Sequence, residues 1–221
     1  MKLSKKLSTY TLIALMLVSG SLFAGDLSFS GDVTLVSNYV WRGVLADGAA
    51  FQGTASGAYK CLSFGVWYSS VGSSLETDPY VEIALPTGSV ETAIGAVAYS
   101  YDMKEFAPGI TAEYELYATA GYNCLGLSGY FIPSQKSTEG GINESLYYVE
   151  ASISKSLLGA DWSLAYGLGT YSVRDLEDPT SLLSISASKS ISDAISVSYN
   201  YSLGIDDELD DVVWVGFGYS F

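Results

Sequence analysis

The chain contains no histidine. Ser-His-Asp triads, histidine general bases and histidine-ligated metal sites all need an imidazole, so each is excluded. Cysteine is limited to Cys61 and Cys124, too few for a disulfide-built scaffold. Basic residues number ten against 24 acidic ones. No cationic face is left to neutralise phosphates, so nucleic acid is excluded as a partner, and so is a polybasic anchor on anionic lipid. Charged residues of both signs make up only 15% of the chain, where an ordinary soluble domain carries about 25%. Proline is scarce, at five residues. Beyond the first two dozen residues there is no apolar run long enough for a membrane-spanning helix.

Glycine (23) and tyrosine (18) are abundant instead, and from Leu27 onward the dominant period is two. Leu27, Phe29, Val33 and Leu35 alternate with Ser28, Ser30, Asp32 and Thr34, as in a strand with one apolar and one polar face. The pattern recurs to the end of the chain. It predicts twelve strands, over 27–41, 50–60, 62–70, 79–85, 89–102, 111–120, 123–132, 145–154, 161–173, 181–190, 194–204 and 212–221.

The N-terminus reads differently. Lys2, Lys5 and Lys6 precede an apolar stretch, Tyr10 to Val18, and a small-residue segment ending on Ala24. A basic start, a short apolar centre and a small residue before the cut are the marks of a secretory signal peptide. Residues 1–24 are therefore expected to be a cleaved leader, and 25–221 the barrel domain. Cleavage removes three lysines and no acid, which leaves seven basic residues against 24 acidic ones.

The connections between the twelve segments alternate long and short. Residues 43–49, 71–78, 102–110, 133–144, 174–180 and 205–211 are long, while Lys60-Cys61, Pro86-Thr87-Gly88, Gly121-Tyr122, the turn through Ser156 and Gly159, and Ile191-Ser192-Asp193 are short. An even-stranded transmembrane β-barrel sorts its loops in this way, with short periplasmic turns and longer external loops. A soluble β-sandwich has no reason to do so. The fold class predicted is all-β, an antiparallel up-and-down barrel of the cell outer membrane.

The last strand sharpens that expectation. Val213, Val215, Phe217, Tyr219 and Phe221 share one face, and Gly216, Gly218 and Ser220 the other. Chain ends of soluble domains tend to be polar and frayed, whereas this one is apolar to its final residue. Phe217, Tyr219 and Phe221 resemble the insertion signal read by the machinery that assembles outer-membrane barrels. Tyr39, Trp41, Tyr99, Tyr101, Tyr130, Trp162, Tyr171, Trp214 and Tyr219, near predicted strand ends, are expected to form girdles at the lipid–water interfaces.

At Ser37-Asn38-Tyr39-Val40-Trp41-Arg42-Gly43-Val44 the chain resembles the opening motif of the TorF-like porins of proteobacteria, approximately Ser-x-Tyr-x-aromatic-Arg-Gly. The resemblance continues through Ala50-Phe51-Gln52-Gly53 and Phe64-Gly65-Val66-Trp67-Tyr68-Ser69-Ser70-Val71, and later only as an architectural echo ending in Gly216-Phe217-Gly218-Tyr219-Ser220-Phe221. It singles out Asn38, Tyr39, Trp41, Arg42 and Gly43. The family's richness in paired aromatics is thinner through the middle of this chain. What the resemblance implies is a porin-like fold, more firmly than any solute.

Chemistry-bearing constellations are few. Gly126-Leu127-Ser128-Gly129 does not supply a nucleophile elbow, and no glycine-rich phosphate loop with a following lysine is present. The strand phase instead turns Asp32, Glu82, Glu113, Glu115 and Glu150 inward. Acids lining a narrow, low-dielectric bore favour cations. About eight strands leave a barrel filled and about sixteen leave it open, so about twelve predict a narrow channel. The expected function is passive diffusion of small cationic or neutral solutes, with no cofactor and no catalytic or metal site. A plugged structural barrel, an adhesin and a carboxylate-dependent outer-membrane enzyme are the alternatives. The expected partners are outer-membrane lipids, lipopolysaccharide and the insertion machinery. The acidic run Asp206-Asp207-Glu208-Leu209-Asp210-Asp211 has Asp211 where a calcium loop needs glycine; it reads as a solvated loop, with divalent bridging to lipopolysaccharide as the sharper hypothesis. Cys61 and Cys124 lie beside different short turns, and a bridge between them would have to cross the barrel floor.

Overall fold

A strand with one apolar and one polar face satisfies its backbone in lipid only when every N–H and C=O finds a neighbouring strand, which forces the sheet to close. The computed structural model describes residues 27–72, 74–100, 113–133, 145–170, 179–206 and 209–221, and the predicted leader lies outside them. Among the described residues there are fourteen strands: β1 (Leu27–Val36), β2 (Tyr39–Trp41), β3 (Val44–Asp47), β4 (Ala50–Tyr59), β5 (Leu62–Val71), β6 (Ser74–Leu85), β7 (Glu91–Tyr99), β8 (Glu113–Tyr122), β9 (Leu125–Ile132), β10 (Leu146–Leu157), β11 (Ala160–Gly169), β12 (Thr180–Ser190), β13 (Ile195–Gly204) and β14 (Val212–Ser220). Twelve of them form one closed antiparallel barrel, and β2 and β3 pair only with each other.

Each barrel strand pairs with its sequence neighbours, and β1 closes the ring by pairing with both β4 and β14. The closing seam runs from Val36 opposite Gly216 to Asp32 opposite Ser220. One more reciprocal pair extends it, Gly31 N–H to the Phe221 carbonyl at 3.0 Å and Phe221 N–H to Gly31 at 2.9 Å. The Phe221 ring lies against Gly31, where an added Cβ would stand 2.7 Å from the ring. Only glycine lets the terminal aromatic lie flat on the seam.

Outward positions are apolar and exposed: Phe29, Leu127, Leu164, Ile185, Val213 and Phe217 are representative. Inward positions carry acids, tyrosines, serines and glycines. The two-residue turns Lys60-Cys61, Asn123-Cys124 and Leu158-Gly159 begin on residues with φ of 56°, 54° and 55°, as primed hairpin turns require. Cys61 and Cys124 are free thiols on two of these turns.

Two predicted boundaries are corrected. The first strand does not run to Trp41. After Val36, Ser37 N–H donates to the Val215 carbonyl (2.9 Å), Val215 N–H donates to Ser37 Oγ (3.0 Å) and Asn38 Nδ2 donates to the Val213 carbonyl (2.8 Å). These side-chain bonds end the ladder and turn the chain inward. Residues 71–78, expected to be a long loop, are mostly strand, since β6 begins at Ser74. Its Glu76 and Asp78 resemble loop residues in composition, yet they occupy inward positions, where polar side chains belong in a barrel.

Candidate functional site in the lumen

The lumen has two unlike walls. Asp32 on β1, Glu76, Asp78 and Glu82 on β6, Glu115 on β8 and Glu150 on β10 are buried inside the barrel, and Glu113 is half-buried above Glu115. These strands span the arc from β10 through β8 and β6 to β1. On the remaining arc the inward positions include Ser163, Ser184, Asn200, Ser202, Gly216 and Gly218, which are small or neutral. Of the predicted inward acids, Asp32, Glu82, Glu115 and Glu150 are buried here and Glu113 is half-buried, and Glu76 and Asp78 join them.

Tyrosines on the inward phase serve the acids. Tyr99 Oη donates to Glu115 (3.0 Å), Tyr117 Oη to Glu82 (3.2 Å) and Tyr148 Oη to Glu150 (3.2 Å). Ser100 N–H donates to the Asp78 carboxylate at 3.2 Å. A buried carboxylate without donors would carry the full cost of losing its water, so a donor at Glu82, Glu115, Glu150 and Asp78 is the expected arrangement. Tyr117, Tyr130 and Tyr148 also stack in sequence around the wall, with ring centroids 6.1 and 6.0 Å apart.

The β2–β3 hairpin lies across this bore. Its two turn residues, Arg42 and Gly43, have φ of 47° and 81°, the doubly left-handed geometry of a type I′ turn. Arg42 Nη2 donates to both oxygens of Glu115, each at 2.8 Å. Its guanidinium carbon stands 4.1 Å from the Tyr130 ring centre, 4.5 Å from Trp41 and 5.1 Å from Tyr148. On the far side, a Cβ at Gly43 would stand 2.5 Å from Ser202 Oγ and 2.7 Å from Leu182. The turn therefore reaches from β8 on the acid wall to β12 and β13 on the neutral wall.

Aromatic contacts hold the hairpin arms. Tyr39 packs on Trp67 at 5.7 Å, and Trp41 meets Tyr99 edge-on at 6.2 Å. At its outer end the Asp47 carboxylate accepts from Gly72 N–H (2.6 Å) and Gly48 N–H (2.7 Å), which ties the hairpin to the β5–β6 turn. The hairpin shields these groups from solvent: Arg42 is 8% exposed, Glu115 1% and Glu150 2%.

The motif residues Asn38, Tyr39, Trp41, Arg42 and Gly43 converge on this one device. The motif alone does not turn Arg42 inward; the local signal for that is Arg-Gly flanked by Trp41 and Val44, a primed-turn dipeptide between β-prone residues. The aromatic-girdle expectation is corrected for most of its members. Tyr39, Tyr99 and Trp214 are buried inside the barrel, and Trp41 and Tyr130 pack against the interior cluster. Trp162 and Tyr219 face outward as expected, and Tyr101 and Tyr171 lie outside the described residues. In the acidic 206–211 run, residues 207–208 are outside the described set. Asp206 accepts from Ser181 N–H (2.5 Å), and Asp211 from Tyr201 Oη (2.7 Å) and Gly204 N–H (3.2 Å), so both brace the loop base.

No family model and no curated relative matches the sequence. Solved structures do match in fold. A protein from a study of the in-meso crystallization of membrane proteins superposes with a TM-score of 0.60 at 8% identity, over 87% of this chain and 83% of that one. An outer-membrane channel from Pseudomonas putida F1 superposes with a TM-score of 0.53 at 10% identity, over 92% of this chain and 98% of that one. At such identities the likeness is one of fold. A closed twelve-stranded barrel with an apolar outer face belongs in the bacterial outer membrane.

Proposed function

We propose that the protein is a narrow, cation-preferring channel for passive diffusion of small solutes. One observation carries the reading: among the described residues six buried carboxylates face the interior and Arg42 is the one buried basic side chain. A low-dielectric bore with that imbalance concentrates cations and repels anions. The inward groups Asp32, Glu82, Glu113, Glu115 and Glu150 are its pore-lining residues, and the Arg42 hairpin is its narrowest layer. Permeating solutes are small cations or neutral molecules, and no bond is made or broken in the process. The outer-membrane channel from Pseudomonas putida F1 supports the same class of activity.

Membership of the TorF-like porin family is part of the proposal, on the motif from Ser37 to Val44. So are cleavage after Ala24, contact of the outer face with lipid and lipopolysaccharide, and recognition of Phe217, Tyr219 and Phe221 by the insertion machinery. Conductance of refolded protein in planar bilayers, with a reversal-potential measurement under a salt gradient, tests the function. A current with a cation-leaning reversal potential is expected. An anion-leaning potential sinks the selectivity, and no current in any variant sinks the channel. The second reading is a plugged structural barrel, which the Arg42-Gly43 turn reaching from one wall to the other favours.

A further inference from the structure

We infer that Arg42 occupies a guanidinium-binding site built into the barrel wall, and that small solutes bearing a guanidinium group compete with it for that site. The inference names the solute class of the channel proposed above and rests on that reading for transport. Binding itself can be measured without current.

Most of the site belongs to the wall and not to the hairpin. Glu115 on β8 presents two oxygens, both 2.8 Å from one guanidinium nitrogen. Tyr99 on β7 donates to the same carboxylate at 3.0 Å and fixes its orientation. Tyr130 on β9 and Tyr148 on β10 offer ring faces at 4.1 and 5.1 Å, and their mutual stacking at 6.0 Å holds them in place. Trp41 alone comes from the hairpin, at 4.5 Å. Four strands therefore converge on one planar cation, and the cage keeps one carboxylate and two aromatic faces when the hairpin leaves.

The chemistry selects guanidinium over ammonium. The carboxylate takes one nitrogen of the group, and the aromatic faces beside the rest of it match a flat, weakly hydrated, delocalised cation. An ammonium is compact and strongly hydrated, and it would have to shed that water between two rings. The other buried acids of this wall raise the local cation concentration without offering the same cage.

The internal occupant makes the site regulated. Arg42 is tethered by a short hairpin, so it competes at an effective concentration in the millimolar range or above. Free solute meets this competitor in the wild type and meets none once the side chain is removed. Displacement of Arg42 by solute would also release the turn from Glu115, which couples occupancy to the seating of the hairpin.

Calorimetry of refolded protein in detergent, titrated with methylguanidinium chloride and separately with methylammonium chloride, tests the site. Arg42→Ala is expected to bind methylguanidinium saturably at one site, at least about tenfold more tightly than it binds methylammonium. The wild type should bind it at least about tenfold more weakly than Arg42→Ala, in keeping with an internal competitor. Adding Glu115→Gln to Arg42→Ala should abolish binding. Where Arg42→Ala fails to fold, Arg42→Gln keeps most of the side-chain volume, removes the competing cation and carries the same comparison. Equal affinity for the two probes, or binding untouched by Glu115→Gln, overturns the site. In bilayers, current that methylguanidinium leaves unchanged in every variant overturns this inference and leaves the channel standing. Binding without current in any variant overturns the channel and leaves the site standing.

Discussion

Glu115→Gln removes a charge while keeping the volume and most of the hydrogen-bonding capacity of the side chain. Arg42 then loses its anion but keeps the faces of Trp41, Tyr130 and Tyr148. The pair is buried, with Glu115 1% exposed, and removing one partner of a buried pair costs about 3–5 kcal/mol. At about 1.4 kcal/mol per factor of ten, the lower figure shifts the ratio of displaced to seated hairpin by on the order of 100-fold. The cation–π contacts, roughly 0.5–2 kcal/mol each, are made by the seated Arg42 with either residue at position 115 and so cancel in the comparison. Single-channel recording on refolded protein reads the result as a rise in the fraction of time spent in the high-conductance state. Glu82→Gln is the control, because Glu82 is held by Tyr117 and not by Arg42. It should move the reversal potential toward zero and leave that fraction unchanged. An open fraction in Glu115→Gln equal to that of the wild type would refute the role of the Arg42–Glu115 pair in holding the hairpin seated.

Gly43→Ala should also unseat the turn, because φ is 81° and the new Cβ would stand 2.5 Å from Ser202 Oγ. Limited proteolysis should cut residues 39–47 faster than in the wild type, whereas Gly48→Ala, with nothing within 4 Å of its Cβ, should leave the rate unchanged. Leu164→Arg places a charge on the lipid face in mid-strand, opposite Ile153 and Ile185; it should lower stability in bilayers by about 2–4 kcal/mol, read as a shifted urea midpoint. Phe221→Ala removes the ring from the Gly31 seam and the terminal aromatic together. The fraction assembled into the outer membrane, measured as heat-modifiable folded protein, should fall several-fold, and an unchanged fraction would remove Phe221 from the insertion signal.

The barrel was legible because its rule is local. Period two assigns every other residue to lipid, and Phe217, Tyr219 and Leu164 turn outward whatever the rest of the chain does. The same phase carried Asp32, Glu82, Glu115 and Glu150 inward, where they are buried. It failed where polar composition suggested a loop, as at Glu76 and Asp78, since a barrel with a polar interior makes strand and loop alike in composition. It also failed for the aromatics: Tyr99 and Trp214 sit on inward phases, where a phenol or indole serves carboxylates or fills the bore and no girdle is made.

Local alternation alone was enough for the closed membrane barrel, for the approximate places of its strands and for the inward phase of Asp32, Glu82, Glu115 and Glu150, but not for Glu76 and Asp78. Those properties follow from the alternation of neighbours and from turn residues, which act over a few positions. The partner of Glu115 was decided by tertiary structure alone. Arg42 and Glu115 are 73 residues apart, and they meet only because Ser37 and Asn38 stop the first barrel strand and a left-handed Arg-Gly turn folds back into the bore. Ring closure brings β8 and β13 to opposite sides of that turn. No local period encodes a contact across a lumen, because the distance is set by the circumference of the whole sheet.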